Sequence, residues 1–379
     1  MDFNFKEEQQ QFADALRRWV DKDYGFDVRH RIIHSDSGVS DVAWNTLVEL
    51  GMTALPVPEA QGGFDGTAVD MLLVMQELGR GLVVEPYFAT VLGAQFLKLA
   101  GGQEHLLEQV ATGELKLASA LGEKHSRHDL FDVKTMGTVN GEGYRIDGTK
   151  TVVIHGGQAD AFIVSARSGG GQRDSNGISL FVVDARAPGV TVKDYRTIDG
   201  QRAATVSFSN VQVPSSGLLG KLGAGWDILD AAADYGAALL CAEAVGAMDA
   251  IFAATLDYLK TRQQFGAPIG KNQALQHRMA DMFVHLEQAR SMAMLAAAKV
   301  GSREAEERRR AVSAAKVRVG QAAKFVGQQA VQLHGGMGVT DELPAAHYFK
   351  RLTMIDLTLG DAEHHLERFI AQPGFQQHA

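Results

Sequence analysis

The sequence has 379 residues, 45% of them hydrophobic, and its 37 Lys+Arg against 45 Asp+Glu give a formal net charge of -8. That length exceeds one ordinary hydrophobic core and predicts more than one domain, while the acidic balance argues against a nucleic-acid partner, because neutralising phosphates needs a basic face. The single cysteine, Cys241, lies in an apolar helical run, so an internal disulfide framework is excluded and a reducing, cytoplasmic setting is expected.

From Lys6 to about Thr112 apolar residues recur at helical spacing: Phe12, Leu16, Trp19 and Val20, then Val42, Leu47 and Leu50, then Met71, Leu72, Met75 and Leu78, then Leu92, Phe96 and Leu99. Asp14, Arg17 and Arg18 interrupt the first of these faces, which argues against the apolar core of a secretory leader. Pro56, Pro58 and Gln61-Gly62-Gly63 mark a loop between helices. Near Leu115 the pattern changes. Tyr144 to Ile146, Ala161 to Ala166, Ile178 to Val183 and Val206 to Val213 are rich in β-branched and aromatic residues, and Asn140-Gly141 and Asp147-Gly148 are expected as hairpin turns.

After Gly223-Ala224-Gly225 the helical period returns, predicting helices near 225–260, 272–300, 306–335 and 344–369. The run from Ala231 to Leu256 is broken by Asp234, Glu243 and Asp249, which favours a buried bundle helix over a membrane span. The charged stretch Gly301 to Arg310 is expected to be a solvated turn, with a partner surface as the alternative. The division is a helical domain over 1–112, a β domain over 113–218 and a helical bundle over 219–379: an α+β multidomain chain with a middle β-barrel or sandwich and a C-terminal four-helix bundle.

Two stretches carry the candidate chemistry. In Tyr258-Leu-Lys-Thr-Arg262-Gln-Gln-Phe265-Gly266-Ala-Pro-Ile269-Gly270, followed by Gln273 and Met279-Ala280-Asp281-Met282, Arg262 sits at a helix end where a guanidinium can make paired, charge-assisted bonds to a pyrophosphate. In Gln332-Leu333-His334-Gly335-Gly336-Met337-Gly338 the glycines stop a helix and let a cofactor's sugar and phosphates approach the backbone. His334 is read as a structural hydrogen bonder. No metal-ligand cluster is expected.

These stretches, with the helical start and strand-rich middle, resemble the acyl-CoA dehydrogenase family over essentially the whole chain. The resemblance implies that family's fold, FAD as cofactor, an acyl-CoA substrate, a homo- or hetero-tetramer, and an electron-transfer flavoprotein as acceptor. It also implies that Arg262, Phe265 and Gln273 contact the FAD of a neighbouring subunit, and that Gln332, Gly335 and Gly336 contact its adenosine-diphosphate portion.

The chain departs from the family elsewhere. The Glu-Pro-Gly-(small)-Gly-Ser-Asp turn that holds the flavin ring reads Glu123-Lys124-His125-Ser126-Arg127-His128-Asp129, and the Lys-(apolar)-Trp-Ile-(Ser/Thr) strand reads Lys150-Thr151-Val152-Val153-Ile154. The base that removes the α-proton would fall at Gly360, or in the other known arrangement near Gly236, and both are glycine. Asp361, Asp234 and Glu243 are the nearby acids, each expected to be a structural salt bridge or cap. The segments around Cys241 and Leu359 look like the small subunit of pimeloyl-CoA dehydrogenase-type heteromers, in which a larger subunit supplies the ring site and base. Alternatives are a self-sufficient homo-oligomeric dehydrogenase with a relocated base, an FAD- or FMN-dependent monooxygenase on the same fold, and a purely structural subunit.

Overall fold

The computed structural model describes residues 5–264 and 266–373. Phe265, one of the expected cofactor contacts, therefore lies outside the described residues. In chain order the elements are α1 (Glu7–Asp23), α2 (Phe26–Ile33), α3 (Asp41–Glu49), α4 (Ala68–Gly81), α5 (Tyr87–Ala100), α6 (Glu104–Ala111), then β1 (Leu117–Ala120), β2 (Met136–Asn140), β3 (Gly143–Ile154), β4 (Ala161–Arg167), β5 (Ile178–Asp184), β6 (Val190–Arg196), β7 (Arg202–Val213) and β8 (Leu218–Leu219). Then come α7 (Trp226–Thr261), a small hairpin of β9 (Gln263–Gln264) and β10 (Ala267–Pro268), α8 (Gln273–Lys299), α9 (Ala305–His334), α10 (Pro344–Leu357) and α11 (Ala362–Ile370). Spatially the chain packs as two compact units.

One unit comprises Ile32–Thr67 and Val84–Gly236. Its eight-stranded sheet runs β6-β7-β3-β2-β4-β5-β8, with β1 paired in parallel on β4. Phe162, Val164, Phe181, Val206 and Phe208 form its core, and β4 is buried along its whole length. Asn140-Gly141 closes the β2–β3 hairpin, with Asn140 opposite Gly143 and Gly141 at φ +60°. Asp147-Gly148 is not a turn. It lies inside β3, where the register to β7 shifts between Ile146 and Gly148. A Cβ on Gly148 would sit 2.5 Å from the Thr135 hydroxyl, so glycine here serves a bulge and a close approach rather than a chain reversal. In α3, Leu47 is buried, but Val42 is 78% exposed and does not belong to the core face expected of it.

The other unit comprises Met1–Arg31, Ala68–Val83 and Ala237–Ala379. Along α9, Val312, Ala315, Val319, Ala322, Val326 and Ala330 are buried at helical spacing, which is why this helix forms the core against which α8, α10 and α11 pack. α4 and α7 meet at small residues: a Cβ on Gly246 would collide with the Gln76 carbonyl, and one on Gly79 with the Glu243 carbonyl. α7 is long and apolar enough to cross a membrane, yet its most apolar window is 72% buried inside the protein. Only the start of the charged 301–310 stretch is a turn, since α9 begins at Ala305 and Arg308 is buried.

The expected helix over 344–369 is two helices. α10 ends at Leu357 and α11 begins at Ala362. Between them Leu359 has φ +56° and Gly360 φ +103°, a backbone no helix can contain.

Candidate cofactor-binding and catalytic site

α7 ends at Thr261, and Arg262 is the first residue beyond it. The chain then turns through the β9–β10 hairpin, with Gln263 opposite Pro268 and the Ile269 N–H donating to the Arg262 carbonyl at 2.9 Å. Arg262 is exposed, and its guanidinium makes no hydrogen bond or ion pair among the described residues. Gln273 opens α8 from an exposed position, and the turn before it is braced by Asn272 Nδ2 donating to the Ile269 carbonyl and Gln276 Nε2 to that of Gly270, both at 2.9 Å.

The end of α9 is pinned to the end of α7. The His334 ring stacks on Tyr258 with centroids 4.5 Å apart, and the Tyr258 hydroxyl donates to the His334 carbonyl at 3.4 Å. His334 Nδ1 lies 2.8 Å from the Ala330 carbonyl, so that nitrogen carries the proton and the residue is structural. Gln332 and Gly335-Gly336 are exposed. Gly335 has φ +61°, and a Cβ on either glycine would meet nothing within 4 Å. The carbonyl end of α9 carries partial negative charge, so this glycine surface suits hydroxyl and amino donors, while a phosphate's charge belongs at Arg262 and the first turn of α8.

The turn after β1 has the opposite character. Glu123 Oε1 accepts from the Thr135 N–H at 3.0 Å and from Lys150 Nζ at 2.9 Å, and Oε2 accepts from the Lys134 N–H at 3.0 Å. Lys150 Nζ also donates to the Leu121 carbonyl and the Ser165 hydroxyl, each at 3.0 Å. Burial pushes the Lys150 ammonium down to about 8. Burial alone would raise the Glu123 carboxyl, but the Lys150 charge and the bonds it receives hold it below the usual carboxylate range. Ser126 closes the loop on itself, its hydroxyl accepting from the Glu123 N–H at 3.1 Å and donating to the Glu123 carbonyl at 3.0 Å. Arg167 ties the surrounding loops together through the carbonyls of Phe131, Gln172, Asp174 and Asn176. Val152 is 54% exposed at φ +53°, a strained conformation for a β-branched residue, where the register of β3 to β7 slips between Lys150 and Val153. The Glu123–Lys150 pair, 27 residues apart, escaped sequence reasoning; the signal for it was an acid and a lysine standing at family positions while their neighbours diverged.

At the first base position, a Cβ on Gly360 would lie 2.6 Å from His364 Cδ2 and 2.8 Å from His365 Nε2. His365 is buried, with Nε2 donating to the Leu359 carbonyl at 2.9 Å and its pKa pushed well down by burial and then by the nearby Lys316 charge, so the ring is neutral. Lys316 fixes the same segment from below: Nζ donates to the carbonyls of Ile355, Asp356 and Thr358 at 2.8, 3.1 and 2.9 Å. Asp361 caps α11, accepting from the His364 N–H at 2.8 Å. Glu243 is buried in a bidentate pair with Arg351, at 2.6 and 2.8 Å. Gly236 and the buried Asp234 lie within α7. Asp361 is thus engaged as a helix cap and Glu243 in an ion pair.

Three family models cover the chain: the acyl-CoA dehydrogenase N-terminal domain over residues 6–114, the middle domain over 118–211 and the C-terminal domain over 223–372. An acyl-CoA dehydrogenase of Bacillus subtilis is 31% identical over 324 residues, 83% of this chain and 84% of that protein. Among solved structures, a chain of the ChsE4-ChsE5 complex from Mycobacterium tuberculosis superposes with a TM-score of 0.87 at 27% identity, covering 97% of each chain. Butyryl-CoA dehydrogenase from Megasphaera elsdenii gives a TM-score of 0.87 at 27% identity, covering 97% of this chain and 98% of that one.

Proposed function

Because the chain belongs to the acyl-CoA dehydrogenase family, whose members bind FAD, we propose that it is the base-lacking subunit of a heteromeric acyl-CoA dehydrogenase, completing a neighbour's FAD site while a larger partner supplies the flavin-ring cradle and the catalytic carboxylate. The observation that carries this is Gly360. Its φ of +103° and the crowding of His364 and His365 around it leave no room for a side chain where the family places its glutamate. The loop is built around the absence of the base, with Lys316, Asp361 and His365 all bonded into it.

The cofactor assignment divides along the same line. Arg262 would hold a phosphate, with Gln273 beside it, and Gln332 with the open Gly335-Gly336 backbone would receive the sugar and base. The turn from Glu123 fits the flavin ring poorly, because the hydroxyl of Ser126 and the carboxylate of Glu123 are spent inside the protein. When bound, FAD accepts the β-hydrogen of a CoA thioester as hydride while a carboxylate removes the α-proton. In this reading that carboxylate belongs to the partner. Resemblance to a chain from a complex of two differently named proteins, ChsE4-ChsE5, supports the heteromer. An electron-transfer flavoprotein would reoxidise the flavin, in the cytoplasm.

The test is co-production with candidate larger homologues carrying an intact ring turn and a glutamate, followed by acyl-CoA turnover assays. Turnover that appears only in the mixed complex is expected. Brisk turnover by this chain alone would overturn the assignment in favour of a self-sufficient homo-oligomer.

A further inference from the structure

We propose that a groove beside the end of α7 binds an anionic amphiphile: a carboxylate with an unbranched apolar tail of medium length. The groove has a volume of about 480 Å³ and lies between α7, the β9–β10 hairpin and α8, a size typical of small-molecule sites. Leu256 and Leu259 of α7, Pro268 of β10 and Met279 of α8 make it apolar. Gly270 allows the hairpin to close one wall, since a Cβ there would come within 2.8 Å of the Leu259 carbonyl. Gln276 braces that wall by donating to the Gly270 carbonyl at 2.9 Å, so its amide is already engaged.

What remains polar is cationic. Lys260 and Lys271 both line the groove, both are exposed, and neither ammonium has a hydrogen bond or ion pair among the described residues. Among the described residues no acid lines it with them. Two uncompensated cations over an apolar channel, in a chain whose net charge is -8, select a ligand with one anionic end and one apolar end. A nucleotide is a poorer match, because among the described residues no aromatic side chain lines the groove for a base to stack on. Arg262 and Gln273 each follow one of these lysines by two residues, yet neither lines the groove. The site is therefore distinct from the surface around Arg262 and Gly335-Gly336, and the proposal stands whether or not the heteromer assignment does.

Calorimetric titration of the full chain with decanoate, kept below the concentration at which it forms micelles, tests this, with decanol as the uncharged control. One saturable site per chain is expected, with decanoate bound about tenfold tighter than decanol. The double variant Lys260→Glu/Lys271→Glu should lose at least about that factor, and Leu256→Trp, which fills the groove, should abolish binding while circular dichroism shows the helices intact. Absence of saturable decanoate binding, equal affinity for decanol, or unchanged affinity in the double lysine variant would each overturn the proposal. One-for-one competition between FAD and decanoate would overturn the assignment to a separate site.

Discussion

The surface around Arg262 and Gly335-Gly336 and the turn at Glu123 are both rich in polar groups, and they differ in where their hydrogen bonds go. In the first, the guanidinium of Arg262 is exposed with no hydrogen bond or ion pair among the described residues, and the exposed Gly335-Gly336 turn leaves open space where a side chain would be. At the turn, Glu123, Ser126 and Lys150 satisfy one another, and Lys150 is completely buried. Family-like residue types occur in both places. Only unspent groups can bind something else, so Arg262 is available to a ligand while the Glu123–Lys150 pair serves as scaffolding.

The largest effect separates the two regions by stability. Lys150→Met leaves the Glu123 carboxylate buried without its cation, and should cost about 3–5 kcal/mol in urea unfolding. Replacing both, as Glu123→Leu/Lys150→Met, should recover much of that loss, because a buried pair often does no better than apolar residues of similar volume. The pair also sets a pH dependence. Glu123 is depressed in the folded protein, so its contribution is complete above the ordinary carboxylate range and is lost as pH falls through its folded value. Acidification from about pH 6 to pH 3 should therefore destabilise the wild type more than Glu123→Gln. Lys150 acts in another window: between about 8 and 10.5 the unfolded chain binds more protons at this group, so its contribution to stability rises with pH there.

Arg262→Ala should behave oppositely, leaving stability within about 0.5 kcal/mol of wild type. It should weaken FAD retention in the assembled enzyme by roughly 1.5–3 kcal/mol, about one to two decades in affinity. Flavin affinity by ultrafiltration, unchanged in a correctly assembled variant, would remove Arg262 from the cofactor site.

Gly360→Ala, in the loop between α10 and α11, should cost about 1–3 kcal/mol, since a methyl group must adopt a left-handed backbone and displace His365. Thermal unfolding reads it directly, and a neutral result would mean the loop can re-form around a side chain.

The smallest effect is at Asp361. Asp361→Ala should lose about 1 kcal/mol of helix capping, and Asp361→Asn almost none. Neither should change turnover of the assembled enzyme more than a few-fold. A fall of about 10²–10⁴ in Asp361→Asn, with FAD still bound, is what removal of a general base produces, and would identify one here.

Much of the fold was legible because burial follows local periodicity: the Leu16-Trp19-Val20 face and the β4 and β5 strands lie where their patterns put them. The failures share a cause. Asp147-Gly148 has the composition of a turn, but Thr135, a dozen residues away, makes it a bulge. Thr358-Leu359-Gly360-Asp361 continues a helical pattern, and its break depends on a left-handed leucine and on Lys316, more than 40 residues earlier, drawing in three carbonyls. At the candidate site the acids could be judged one at a time, because the cap at Asp361 is local to its own helix start. That Glu123 and Lys150 pair could not be judged so, because nothing local in either segment refers to the other.

A chain that carries one side of a flavin site and not the other must show it in its flavin stoichiometry. Absorbance of bound FAD against protein concentration, combined with native mass, should give a folded protein with little or no flavin when the chain is made alone, and one FAD per pair of unlike subunits when it is made with its partner. A yellow protein with one FAD in every subunit, purified without any partner, would show that the closed turn from Glu123 to Asp129 still cradles the ring, and would rule out the base-lacking heteromeric role.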